Sequence, residues 1–256
     1  MRIYIPTIGR VQDQITFRNL PTGWQARTFL VVSKEEQLQF VGYPIIVCPY
    51  QGKGSLGKVR HWIYETHNEI GTDGRFIMMD DDISFYIRRT DDPGKFLNAT
   101  RRQVGYCIDS IFESLKRYSH VGVISREGGN RRTEDFTVNT RLNRVLGYNA
   151  MALNIEEVHF DRMLFMDDFD VALQLLRAGR KNLCLGMYAQ GHRSSNEAGG
   201  CSLYRTMEMQ RKDALLLKKL HPEFVTVVQK QTKTAWGGQP RTDVRIAWKK
   251  AYESSK

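Results

Sequence analysis

Arg75-Phe76-Ile77-Met78-Met79-Asp80-Asp81-Asp82 is a run of apolar residues that stops on three consecutive carboxylates. Four buried-type residues followed by acid predict a core strand, Arg75–Met79, whose end opens onto a polar site. Side chains alternate along a strand, so Asp80 and Asp82 are expected to share a face. That spacing suits two carboxylates working on one metal and a diphosphate, since a hard divalent cation takes oxygen ligands and keeps positions for phosphate and water. The plainer reading is an acidic surface turn. Against it, three adjacent carboxylates behind a buried strand repel one another unless a cation intervenes.

Outward from this strand, short apolar runs alternate with helical patterns, which predicts an α/β fold. Expected strands are 2–6, 28–33, 45–49, 75–79, 120–125, 148–154 and 182–187. Expected helices are 55–68, 100–118, 168–178 and 206–220, with Gly179 closing the third. No repeat, low-complexity tract or linker interrupts the chain, so 1–256 is read as a single domain. Its end, 229–256, is a basic, Gly- and Pro-punctuated C-terminal extension that includes Trp236.

The 256 residues are 41% hydrophobic and 11% aromatic, enough for a sizeable core. No apolar run reaches the ~18 residues of a membrane span. The first residues read as a strand and not as a secretory leader. Cys48, Cys107, Cys184 and Cys201 form no CxxC pair, which suits reduced thiols in a cytoplasmic protein. The net charge of +10 favours polyanionic partners, although solubility alone accounts for some of it.

Three further motifs carry chemistry. Gly52-Lys53-Gly54-Ser55-Leu56-Gly57-Lys58-Val59 fits GxxxxGK, but Val59 stands where a phosphate-binding loop places a metal-ligating hydroxyl. A P-loop-like NTPase is therefore the weaker reading, and a helix entered through glycines, with Lys58 and Arg60 near a diphosphate, the stronger. Met166-Asp167-Asp168-Phe169-Asp170 opens a helix whose dipole favours carboxylates there, so part of it is capping. The surplus acid leaves Asp167 or Asp168 as a general base for an acceptor hydroxyl. His192, among glycines and hydroxyls after a strand, is a candidate ligand that favours Mn²⁺, or else a structural histidine.

Taken in order, Pro6-Thr7, the Gly57–Arg60 helix, Asp80–Asp82, the Asp167-Asp168 helix and His192 resemble the GT-A glycosyltransferases. That resemblance implies a Rossmann-like mixed sheet flanked by helices, with Mn²⁺ or Mg²⁺ on Asp82 and His192. It also implies a nucleotide-sugar, with UDP the expected carrier, held by Pro6, Thr7, Arg10, Gly57, Lys58, Arg60, Asp80 and Asp81. The opening Arg2–Arg10, the triple Asp and the basic tail are more narrowly similar to phage glycosyltransferases associated with TET/JBP-type base oxygenases. This implies a hydroxymethylated DNA base, such as 5-hydroxymethylcytosine, as acceptor, and the host cytoplasm as location. Arg131, Arg132, Arg141 and Arg144 are the expected DNA-backbone contacts, with an ordinary solvated surface the alternative. Acceptors of carbohydrate, lipid or protein, and a non-enzymatic nucleic-acid-binding module, are the rival readings.

Overall fold

Ile3 and Ile5 face one side of the first strand and Tyr4 the other, and all three are buried. A strand covered on both faces belongs in the middle of a layered α/β sheet. The computed structural model describes residues 1–50, 52, 54–70 (backbone alone at 68–70), 73–153, 158–191, 204–232 and 238–256. The first half holds β1 (Arg2–Pro6), α1 (Ile15–Asn19), α2 (Thr22–Gln25), β2 (Thr28–Ser33), β3 (Ile45–Cys48), α3 (Leu56–Ile70), β4 (Arg75–Met79), β5 (Ser84–Arg88), β6 (Phe96–Asn98) and α4 (Arg101–Ser114). The second holds β7 (His120–Ser125), α5 (Arg126–Gly129, one distorted turn), β8 (Phe136–Val138), β9 (Val145–Asn149), α6 (Asp167–Arg177) and β10 (Asn182–Gly191). After them come α7 (Met207–Leu220), β11 (Val225–Lys230), β12 (Arg241–Ile246) and α8 (Trp248–Glu253).

Among the described residues the main sheet has ten strands in the order β3-β2-β1-β4-β9-β7-β10-β5-β6, with β8 added beside β10. The β3-β2-β1-β4 half is parallel, and β4/β9, β9/β7, β10/β5 and β5/β6 are antiparallel. The fold is thus the expected mixed α/β sheet flanked by helices. The chain runs from β1 out to β2 and β3, then returns through α3 to place β4 on β1's other side. Such a reversal opens a crevice at the carboxyl ends of the strands, the usual ligand position in sheets of this kind.

Three apolar clusters hold the layers. One joins Ile3, Ile5 and Leu30 to α4 through Ile108 and Ile111. The opposite face joins Tyr4, Phe76 and Tyr148 to α3 and α6 through Ile63, Tyr64 and Val171. A third packs α6, α7, α8 and the β11–β12 hairpin around Leu173, Leu176, Leu217, Val225 and Val244. Two helix ends follow their local chemistry. Thr100 and Gln103 form a reciprocal capping box on α4. Gly179, at φ +74, closes α6 with bonds from its own N–H to Leu176 and from Arg180 N–H to Leu175.

Several boundaries differ from the sequence reading. The strand expected at 148–154 is β9 at Val145–Asn149, followed by a 3₁₀ turn, Ala150–Ala152. Gly147 marks close approach and not a break, because an added Cβ would lie 2.7 Å from Ile111 Cγ2 on α4. β10 continues to Gly191 because its last residues, past a register shift, pair with β5. Residue 229 falls inside β11, and β12 and α8, in what was read as an extension, pack on α6 and α7. Cys48, Cys107 and Cys184 are buried free thiols; Cys201 and Trp236 lie outside the described residues. Among the described residues no helix is long and apolar enough to cross a membrane.

Candidate active site

The crevice at the ends of β1, β2, β3 and β4 widens into a cleft of about 500 Å³. Pro6 and Thr7 line it from β1, Val32 and Ser33 from β2, and Asp80, Asp81 and Asp82 from the turn after β4. The strand ends at Met79, so its alternation stops there, and the three carboxylates do not follow the expected two-faced pattern. Asp81 and Asp82 share Arg10: its Nη1 donates to Asp81 Oδ1 at 2.5 Å and lies 2.9 Å from Asp82 Oδ2. Asp80 turns instead to Arg60, whose Nη2 donates to Asp80 Oδ1 at 2.9 Å.

The turn is clamped from both sides. Thr7 Oγ1 donates to Asp81 Oδ2 at 2.6 Å, and Gln14 Nε2 donates to Thr7 Oγ1 at 2.9 Å. Thr16 on α1 is fully buried; its hydroxyl donates to Asp80 O at 2.6 Å and accepts from Ile83 N at 2.8 Å. Asp80 N donates to Arg144 O at 3.0 Å, and Arg144 holds a φ of 62°, a conformation that side chains other than glycine rarely adopt. Backbone of this kind clusters at functional sites because the surroundings must enforce it.

Helix α6 presents the second acidic group. Its dipole favours the carboxylates of Asp167, Asp168 and Asp170 in the first turn, but each has a different partner. Asp167 is buried and bound by Arg60 Nη1, so one guanidinium joins α6 to the β4 turn. Asp170, also buried, accepts from Arg162 at 2.9 and 2.6 Å and pairs with His221 Nε2 at 2.7 Å, which fastens α6 to the end of α7. Asp168 is left facing the cleft, with Arg141 Nη2 3.9 Å away. Burial, reinforced by neighbouring Asp167, pushes the Asp168 carboxyl up to about 6 against the opposing pull of Arg141 and Arg60.

The structure therefore brings together Pro6, Thr7, Arg10, Arg60, Asp80, Asp81, Asp82, Asp167, Asp168, Arg141 and Arg144, all lining one cleft. It does not bring four others. Gly57 is not among the residues lining the cleft, and an added Cβ would meet Phe160 O at 2.5 Å, so its lack of a side chain serves the close packing of α3 on the segment before α6. Lys58 is exposed and outside the cleft, because only Leu56, Val59 and Arg60 share the inward stripe of α3. Arg131 and Arg132 lie on an exposed loop after α5, away from the cleft. Arg60 lines the cleft at 5% exposure with its guanidinium bonded to two carboxylates, which makes it a strut between α6 and the β4 turn. With Lys58 turned outward, the P-loop reading loses its phosphate-binding lysine. His192 lies outside the described residues.

The donor set suits Mn²⁺ or Mg²⁺. Asp80 and Asp82 offer hard oxygens to the cleft, and burial pushes the Asp80 carboxyl upward and the Asp81 carboxyl to about 6 against the pull of Arg60 and Arg10; a bound cation would favour their ionised forms. Among the described residues no group of three or more His, Cys, Asp or Glu side chains is arranged to enclose a metal. Ions of this size need no such cage, since one or two carboxylates and substrate phosphates suffice for Mg²⁺. Sequence reasoning missed the clamps of Thr16 and Gln14. It also missed Arg205, Arg241 and Asp243, which line the cleft from the C-terminal part of the chain.

The model of the TET-associated glycosyltransferase family matches residues 1–200. Comparison with curated proteins returns no match. Among solved structures, the crystal structure of S. aureus TarS 1-349 is similar, with a TM-score of 0.49 and 12% sequence identity; the match covers 85% of this chain and 66% of that one, just under two thirds of its length.

Proposed function

The chain belongs to the TET-associated glycosyltransferase family, and from that premise we propose that it moves a sugar from a nucleotide-sugar to a hydroxymethylated base in DNA. The observation that carries the reading is the convergence of two acidic groups, distant in sequence, on one cleft at the sheet's reversal point. One group suits the donor and the other the acceptor. The DNA acceptor draws its support from the family's association with TET and from the net charge of +10.

On this reading the nucleoside lies against Pro6 and Thr7, and Arg10 orients the acidic turn beneath the diphosphate. Asp82, with His192, would hold Mn²⁺ or Mg²⁺, which when bound neutralises charge developing on the leaving diphosphate. UDP is the proposed carrier. Asp168 takes the proton of the acceptor hydroxyl in an inverting displacement; its raised carboxyl brings base strength nearer neutrality than an ordinary aspartate has. Arg60 fixes Asp167 and so sets the α6 turn that presents Asp168. A base stacked in duplex DNA must leave the helix to reach that carboxylate, at a cost of a few kcal/mol.

The test is mass spectrometry of hydroxymethylated and plain DNA incubated with the protein, Mn²⁺ and a panel of sugar nucleotides. The expected result is one hexose or pentose added per modified base, on hydroxymethylated DNA only, and lost in Asp82→Ala. No mass gain with any sugar nucleotide, or gain on a carbohydrate, lipid or protein while DNA stays unmodified, overturns the acceptor assignment.

A further inference from the structure

Around Asp168 the cleft wall is built of stacked guanidinium groups. Arg141 lies over the Phe169 ring at 4.3 Å, and Arg205 over the Phe165 ring at 4.5 Å. Arg241, the first residue of β12, lines the same wall and is held by Asp243 at 3.0 Å. Asp243 is buried and also pairs with Lys230 at 3.0 Å, which fixes the hairpin's charged edge toward the cleft. A guanidinium stacked on a ring keeps its in-plane N–H donors for a pair of carboxylate or phosphate oxygens.

The Phe165 platform is anchored through its backbone. The N–H groups of Leu164 and Phe165 donate to buried Asp213 on α7, at 3.1 and 2.6 Å, which sets the ring beneath Arg205. Thr206 caps α7 immediately after Arg205. Arg205 Nε is buried and has no hydrogen-bond partner among the described residues. The nearest carboxylate to Arg141 is beyond hydrogen-bond distance. Arg205 Nε, desolvated and unmatched in the cleft wall, calls for an acceptor group from a ligand, and the half-exposed Arg141 guanidinium stands in the cleft with no carboxylate within hydrogen-bond distance.

The donor's phosphates do not fill this need. The proposed nucleotide end of the cleft is Pro6, Thr7 and Arg10, by the ends of β1 and β4, whereas the arginines of this wall come from the segment before β9 (Arg141), the residue before the α7 cap (Arg205) and the start of β12 (Arg241), with Arg141 3.9 Å from the proposed base. Two of its arginines also lie beyond residues 1–200, the segment that the family model matches. We propose that Arg205 and Arg241, with Arg141, form the phosphate-binding wall for the acceptor strand, holding the backbone phosphate next to the nucleotide whose hydroxyl meets Asp168. The proposal rests on the DNA-acceptor reading above and names the residues that would enforce it. Phosphate contacts position a nucleic acid without reading its sequence, so recognition here is of backbone and not of base order.

The experiment compares the parent with Arg205→Gln/Arg241→Gln and with Arg205→Lys/Arg241→Lys. Fluorescence anisotropy with a hydroxymethylated duplex is run from 50 to 200 mM salt. Calorimetry measures whichever of UDP, GDP, ADP and CDP the parent binds most tightly with Mn²⁺. Losing two phosphate contacts is expected to lower the slope of log K against log salt by about 2, and DNA affinity at 0.1 M salt by roughly 10- to 100-fold. Nucleotide affinity is expected to stay within about twofold of the parent. The lysine pair keeps the charge and is expected to retain most of the slope, which separates lost contacts from lost folding. Unchanged DNA affinity and slope in the glutamine pair, with a parent that binds DNA, overturn the wall alone. Loss of nucleotide affinity with DNA binding intact assigns the wall to the donor and also overturns it. A parent that binds no DNA at low salt overturns the acceptor reading itself, and the wall with it.

Discussion

Arg60→Met tests whether one buried cation joins the two halves of the site. Arg60 is 5% exposed and Asp167 3% exposed, and the guanidinium bonds both Asp167 and, at 2.9 Å, Asp80. Methionine keeps the helical position and most of the aliphatic volume, so the change removes charge with little loss of packing. What remains is Asp167 beside Asp168, two carboxylates with no cation bonded to the buried one. Removing one partner of a buried pair costs about 3–5 kcal/mol because the other charge is stranded in a poorly solvating interior. A domain of this kind is stable by only about 5–15 kcal/mol, so the loss is a large share of the total. With a urea dependence of about 2–3 kcal/mol per molar, the unfolding midpoint should fall by roughly 1–2 M. The double variant Arg60→Met/Asp167→Asn neutralises the stranded charge and should recover at least half of the loss. A single-variant midpoint within about 0.3 M of the parent, or a double variant no better than the single, refutes the stranded-charge argument.

Asp168→Asn should lower sugar transfer by about 10²- to 10⁴-fold in single-turnover assays while leaving nucleotide affinity unchanged, and a rate within threefold of the parent removes Asp168 as base. On the proposed mechanism Asp168 works only when ionised, so transfer at saturating donor should fall about tenfold per pH unit below about 6; a flat profile from pH 5 to 7.5 contradicts this. The same residue should weaken the fold: its folded value near 6 lies above the ordinary 3.8, so the folded state binds more protons between those values and its stability falls as pH rises through the window. Asp168→Asn should therefore be more stable than the parent at pH 7.5, by up to roughly 3 kcal/mol, and by little at pH 4, and equal melting temperatures at pH 7.5 argue against it. Gly57→Ala should lower stability by about 1–3 kcal/mol, since its Cβ would stand 2.5 Å from Phe160 O, whereas Lys58→Ala should leave transfer and stability unchanged; calorimetric melting and the transfer assay check both.

The strands that decide the fold were legible because each is a continuous apolar run bounded by polar or turn residues. Arg2–Pro6, Thr28–Ser33, Arg75–Met79 and His120–Ser125 match their expected limits. Their burial on both faces is the physical reason, since a doubly covered strand cannot carry polar interruptions. β8 was not legible because it spans three residues and owes its extended form to pairing with β10, which leaves no periodic signal. The hairpin was hidden by composition: Val225–Lys230 and Arg241–Ile246 carry polar residues on the face turned from α7, and the basic residues around them suggested a solvated tail.

The site shows the same division more sharply. Carboxylates crowded at a strand end and at a helix start are visible in sequence because acid there needs a reason, and both sets line the cleft. Which carboxylate does what is not visible, because it depends on which cation the fold sends to each. Asp167 and Asp168 are adjacent and chemically identical, yet Arg60 from α3 engages one and leaves the other to the cleft. Arg10 likewise draws Asp81 and Asp82 together and separates them from Asp80. Neither arginine's role follows from its neighbours in the chain; Arg60 sits in a stretch that reads as phosphate-binding, and burial converts it into a strut. The assignment of roles is a tertiary property: the cation that the fold delivers, and not the acid's own chemistry, ties Asp167 into the structure and leaves Asp168 to the cleft. Asp167→Asn, which frees Arg60 from one partner while leaving Asp168 in place, should thus impair transfer far less than Asp168→Asn. If the two variants lose transfer equally, the division of labour between the two carboxylates is wrong.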